Sequence, residues 1–330
     1  MADAGTGAAA ALGNVSLDDK YTAESGHVFM TGTQALVRLP LDQRRRDQKA
    51  GLNTAGFITG YRGSPLGGYD QQLAKAQSHL KDNHILFRPG VNEDLAATAV
   101  WGSQQSGLYG DGKYDGVFGI WYGKGPGVDR SGDAFKHANA AGTLKHGGVL
   151  AFAGDDHMAK SSTTAHQSEF AFVDAYIPVL APSGVQEFLD MGIHGFAMSR
   201  FSGLWAGFKC IGETVDSAAT VLIDPDRVQP IIPADFEIPP DGLNSKLIVA
   251  EFLALEETLH KYKLPAALAY ARANRLDRVV WSGPRRRIGI VTSGKSYLDV
   301  RQALDELGID EATAAEIGLS VYKVAMTWPL

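Results

Sequence analysis

Cysteine is almost absent from this sequence. Cys210 is the only one in 330 residues, which excludes a disulfide framework within the chain and an iron–sulfur cluster held by its own thiolates. Cys210 ends the apolar run 204–210 and reads as a buried, inert thiol. Long apolar stretches are lacking as well: none approaches the roughly 18 residues of a membrane-spanning helix. The start, Met1 to Asn14, is rich in Ala and Gly and has no basic residue, unlike a signal or transit peptide. Both absences read as a cytoplasmic protein with no membrane partner. Positive charge is also in short supply. The net charge is −6 and the pI about 5.8, so there is no basic stripe for nucleic acid. The one cationic cluster, Arg44 to Arg46 followed by Asp47, reads as a solvated helix end.

What is present is the composition of a globular protein: 45% hydrophobic and 21% charged residues. Short apolar runs, such as 55–59, 84–88, 116–122, 148–153, 176–180 and 219–223, alternate with helical stretches, including 69–81, the helix opened by Glu93 and 183–200. Strands alternating with helices predict an α/β fold, an open and mainly parallel sheet with helices on both faces. Residues 1–15 read as a disordered tail and 16–233 as the first domain. Residues 234–285 read as a linker, Pro-rich and acidic at first, and a helical stretch. A strand–turn–helix unit over 286–330 reads as an incomplete second domain, because one such unit cannot bury both faces of a sheet.

Ligands of open α/β sheets bind beyond the carboxyl ends of the strands, and four segments there can carry chemistry. The turn from Gly60 to Gly68 joins a strand to a helix and holds Gly60, Gly63, Ser64 and Pro65; backbone of this kind can approach a ligand closely. Glu93 stands at a helix start, where an acid either caps the helix or serves a ligand. Gly123, Gly125 and Gly127 imitate a dinucleotide fingerprint, with Val128 where its third glycine belongs. Gly110-Asp111-Gly112 imitates the metal-binding motif of thiamine enzymes but follows a helix, and reads as a turn. No residue is assigned to a metal.

Taken together, several segments resemble the 2-oxoacid:ferredoxin oxidoreductases, most closely the fused indolepyruvate:ferredoxin type. Gly60-Tyr61-Arg62-Gly63-Ser64-Pro65 is similar to the family's G-Y-P-G-T-P turn. Asn92-Glu93-Asp94 resembles its acid followed by a small-residue helix. Gly154-Asp155-Asp156 through Lys160-Ser161-Ser162, Ile177 to Ser183, and Lys323 to Leu330 resemble three further stretches in the same order. The similarity extends over residues 16 to 330.

The resemblance implies that the first domain is a thiamine-diphosphate-binding fold of the pyrimidine type, followed by the start of a transketolase-C-terminal-like domain. It makes Glu93 the acid on N1′ of the aminopyrimidine, which favours the imino tautomer whose nitrogen removes the C2 proton. It places Ser64 beside the substrate carbonyl, and Gly60, Gly63 and Pro65 in the cofactor turn. Arg130 is the candidate clamp for a substrate carboxylate. The implied reaction is oxidative decarboxylation of an aryl pyruvate to an acyl-CoA, with ferredoxin as acceptor. Mg2+ and [4Fe-4S] clusters are expected only in missing domains or partner subunits, and a homo-oligomer is expected. Two other readings stay open: a nicotinamide-dependent dehydrogenase using the glycines at 123–127, and a non-catalytic interaction subunit.

Overall fold

Near-continuous apolar runs make the central strands, as burial on both faces of a sheet requires. The computed structural model describes residues 15–159, 161, 164–246 and 252–330. Its strands are β1 (Gly26–Thr31), β2 (Thr54–Gly60), β3 (Ile85–Phe87), β4 (Gly116–Lys124), β5 (Val149–Gly154), β6 (Val179–Leu180), β7 (Ala206–Lys209), β8 (Ala218–Ile223), β9 (Arg278–Trp281), β10 (Ile288–Ser293), β11 (Leu319–Val324) and β12 (Met326–Trp328). The main sheet has seven strands in the order β12-β6-β7-β5-β4-β2-β3. All its pairings are parallel except β12 with β6. The fold is therefore the open, mainly parallel α/β sheet expected.

Side chains of successive strand residues point to opposite faces, and two cores result. Phe118, Ile120 and Tyr122 of β4 join Leu150 and Phe152 of β5 in one, against the helices Gly32–Lys49 and Val185–Ser202. Trp121, Val149, Ala151 and Ala153 face the other, against the helices Glu93–Ser103 and Gly132–Ala141.

Several expectations are corrected. The stretch 219–223 does form a strand, β8, but it pairs antiparallel with β1 in a separate two-stranded sheet. β1 itself and β7, which lies inside the apolar run before Cys210, were not foreseen. The helix expected over 69–81 is two, Tyr69–Lys75 and Gln77–Asp82. Pro40 sits inside the Gly32–Lys49 helix without ending it. Arg44 to Arg46 are not a solvated helix end. Arg44 is buried and donates to the Leu52 carbonyl, Arg45 to that of Tyr21 and Arg46 to that of Pro225, so the cluster ties the helix to three other segments. The tail reading for residues 1–14 and the start of the helical stretch at 247–251 lie outside the described residues. The remainder of that stretch is helical over Phe252–Thr258 and Leu264–Ala273, with a π turn between.

The second unit is a three-stranded sheet, β10-β11-β9, packed on the Gly294–Glu306 helix through Trp281, Tyr297, Leu304, Leu319 and Val321. It takes in β9, upstream of residue 286. The chain then returns to the main sheet through β12. Lys323, fully buried, forms an ion pair with Glu187 and lies 3.3 Å from Ser183 Oγ. Asp277 accepts from the backbone N–H groups of Ala325 and Met326. Burial pushes the Glu187 carboxyl up, but Lys323 and Ser183 outweigh it and hold the group below its usual value.

Candidate active site

The parallel strands β2, β4 and β5 finish together, at Gly60, Lys124 and Gly154. Backbone hydrogen bonds then gather the following loops. Tyr61 N donates to the Tyr122 carbonyl at 3.0 Å, and Gly90 N donates to the Gly60 carbonyl at 2.7 Å. A Cβ at Gly60 would stand 2.0 Å from the Tyr122 carbonyl oxygen, and one at Gly90 2.8 Å from Ala96 Cβ. Glycine at both positions is what lets the 60–68 turn and the Glu93–Ser103 helix close onto the end of β4.

Glu93 is the first residue of that helix. Its cap is Asn92, whose side chain accepts from Leu95 N at 2.9 Å. The capping duty is thus already filled, and among the described residues the Glu93 carboxylate has no hydrogen-bond partner. Its backbone is pinned by the Trp121 indole, which donates to the Glu93 carbonyl at 2.9 Å. Its side chain lies where a Cβ of Gly127 would be, with Cγ 2.4 Å away, while a Cβ at Gly123 would meet the Trp121 ring at 2.7 Å and only touch Glu93 Cγ at 3.4 Å. Gly125 makes room in the same way for the His166 ring, 2.1 Å from its would-be Cβ. The glycines at 123–127 therefore have a reason unrelated to a nucleotide. Gly123 is inside β4, and the short helix Gly125–Arg130 follows without a loop.

Ser64 lies half-buried in the turn, between Gly63, whose would-be Cβ is 2.9 Å from Lys124 Cβ, and Pro65, which packs against Gly154. Gly60, Gly63, Ser64, Pro65 and Glu93 thus share one mouth. Arg130 is at its edge: its Nε donates to Asp94 at 2.9 Å in a half-exposed pair.

The cation that the sequence did not reveal is Lys124, at the end of β4 between Gly63 and the Glu93 pocket. Its ammonium lies 3.3 Å from Asp156 and 2.5 Å from Ser161 Oγ. Behind it, fully buried Asp155 accepts from Ser168 N and Oγ and faces Lys209 at 3.5 Å. His166 Nε2 lies 2.8 Å from Asp129. The available signal for Lys124 was the glycine on either side of it at a strand end; ending the strand at Tyr122 hid it. Of the Gly154–Ser162 stretch, Lys160 and Ser162 lie outside the described residues. Asp111 belongs to an exposed turn away from this mouth.

A carboxylate with no hydrogen-bond partner among the described residues, a hydroxyl and an ammonium paired with Asp156 thus gather at the strand ends on glycine-lined backbone. Residues 278–330 match the family described as the indolepyruvate oxidoreductase domain. The chain is 24% identical over 316 residues to the indolepyruvate oxidoreductase subunit IorA of Methanothermobacter marburgensis, spanning 96% of this chain and 45% of that protein. It is 23% identical to the Pyrococcus abyssi subunit of the same name, over 88% of this chain and 41% of the relative. The chain thus spans less than half the length of these curated relatives. Among solved structures it resembles 2-oxoglutarate:ferredoxin oxidoreductase from Magnetococcus marinus, with a TM-score of 0.68 and 17% identity over 93% of this chain and 55% of that one. The carboxyl-terminal 278–330 segment thus matches the indolepyruvate oxidoreductase domain, most of the chain is similar to IorA subunits, and its fold is shared with a solved 2-oxoacid:ferredoxin oxidoreductase.

Proposed function

We propose that this chain supplies the aminopyrimidine half of the thiamine diphosphate site in a 2-oxoacid:ferredoxin oxidoreductase acting on indolepyruvate or a related aryl pyruvate. The observation that carries the reading is the Glu93 carboxylate, which occupies the space left by Gly127 and is spared from capping by Asn92. When bound, thiamine diphosphate supplies the carbanion-forming carbon that attacks a 2-oxoacid. Glu93 holds a proton shared with the aminopyrimidine N1′. Asn92 and Trp121 fix the backbone from which it reaches. Ser64 offers a hydroxyl donor to the substrate carbonyl. Lys124, at the end of β4 beside the Ser64 turn, is the cation we assign to the substrate carboxylate, with Arg130 at the rim as the alternative; each already has an acid partner, Asp156 and Asp94 respectively.

The diphosphate, its divalent cation, the iron–sulfur clusters and the ferredoxin contact fall to other domains or subunits in this reading. The test is turnover with an aryl pyruvate, coenzyme A, thiamine diphosphate and a viologen dye. The assembled enzyme reduces the dye and the isolated chain does not. Turnover by the isolated chain overturns the half-site reading. Saturable micromolar binding of NADH to the isolated chain, followed by fluorescence, favours the nicotinamide reading instead.

A further inference from the structure

A second cavity lies away from the strand-end mouth. It is a cleft of about 320 Å³ between the Gly32–Lys49 helix, the Val185–Ser202 helix and the end of β8. That volume is at the low end for small-molecule pockets, which span about 300–1,000 Å³. Lys49 is close to the start of β2, so this part of the cleft lies near the amino end of a strand whose carboxyl end carries the candidate active site.

The lining is two-sided. Leu189, Ile193 and Leu222 present apolar surface, and the charged lining comprises five cations with the acids Glu24, Asp42, Asp190 and Asp224. Four of the cations are already matched. Arg38 and Arg45 share Asp42, at 2.9 and 2.8 Å; Arg227 takes Asp190 at 2.9 Å; Lys49 takes Asp226 at 2.8 Å. Arg46 is the exception. Among the described residues its side chain donates only to the Pro225 carbonyl, at 2.7 Å, and forms no ion pair. Burial pushes its guanidinium below the ordinary value, with Asp226 and Asp47 acting in the opposite direction from beyond contact. Glu24 and Asp224 also line the cleft but are exposed to water. A partly desolvated guanidinium with unused donors, beside an apolar wall, is complementary to one anionic group on an apolar body.

We propose that this cleft binds a small organic monocarboxylate, its acid group on Arg46 and its apolar body on Leu189, Ile193 and Leu222. One uncommitted cation in a chain of net charge −6 favours a monoanion over a phosphate ester. The planar fork of a guanidinium matches both oxygens of a carboxylate.

The probe is phenylacetate, with phenylacetamide as its neutral counterpart, titrated into the full 330-residue chain and followed by methyl-resolved NMR. Phenylacetate is expected to bind saturably below about 1 mM and to shift the Ile193, Leu189 and Leu222 methyl signals. Phenylacetamide and the Arg46→Gln variant are each expected to weaken binding about tenfold or more, the usual worth of a charge-assisted hydrogen bond. Lys49→Gln leaves binding within about twofold, since that lysine is matched by Asp226. Equal affinity for acid and amide overturns the proposal without recourse to any variant. Shifts confined to residues around Glu93, or no saturation, overturn it as well.

Discussion

A methyl group at position 127 would stand 2.4 Å from Cγ of Glu93 and 2.7 Å from its Oε1. Gly127 lies inside a helix with no unusual backbone angle, so alanine suits its conformation. The atoms it would meet are the far part of a side chain that can rotate. Gly127→Ala is therefore expected to leave the melting temperature within a few degrees of wild type while displacing the carboxylate. In the assembled enzyme kcat/KM for the 2-oxoacid falls about 100-fold or more, the usual scale of losing a positioned acid–base group. A large loss of stability with unchanged activity would show that the glycine serves packing alone. The neighbouring cation is tested separately. Lys124→Met is expected to raise KM for the 2-oxoacid about 10- to 100-fold, as loss of a charge-assisted contact does. Arg130→Met, which removes only the half-exposed pair with Asp94, is expected to change KM less than about threefold. The opposite ranking restores Arg130 as the carboxylate clamp.

At the scale of elements, the long Val185–Ser202 helix is locked to the Leu264–Ala273 helix by His194, whose Nδ1 lies 3.0 Å from the Tyr270 hydroxyl. Burial, and then Arg46 and Arg278 nearby, push the His194 imidazole down to about 4. Its ordinary value is 6.5, so on acidification the unfolded chain takes up the proton before the folded one does. The associated stability is complete above about pH 6.5 and is lost as pH falls through that value toward about 4. Between about pH 7 and pH 5 the decline is on the order of 2 kcal/mol. Urea unfolding at the two pH values measures it, and His194→Phe should remove most of that decline. An unchanged decline in the variant places the titration elsewhere. Elements were legible in sequence to the extent that burial was two-sided. β2, β4 and β5 carry unbroken apolar runs and were readable. β1 was not, since Gly26, His27 and Phe29 of its six residues are exposed and among the described residues it pairs with β8 alone. The break at Ala76 was hidden because the residues on both sides favour helix.

For the whole molecule, the mainly parallel sheet follows from the alternation of strands and helices, while the strand order β12-β6-β7-β5-β4-β2-β3 was not legible. The local residues Gly60, Ser64 and Glu93 could be placed there from sequence because each is adjacent to a strand end. Lys124, His166 and Asp155 could not, since they meet only when β4, β5 and the segment after β5 are side by side. The same limit hid the pairing of Arg130 with Asp94, which lies on another helix. The central claim is that Glu93 works on a bound aminopyrimidine and does not merely start a helix. The most direct measurement is exchange of the cofactor C2 proton for deuterium, followed by NMR in the assembled enzyme with Glu93→Gln. Gln can still hydrogen-bond N1′, so binding weakens only modestly. It cannot share the proton, so exchange is expected to slow by about 10²–10⁴-fold. Exchange at the wild-type rate in the variant, with the cofactor bound, would contradict the assignment and turn attention to Asp94.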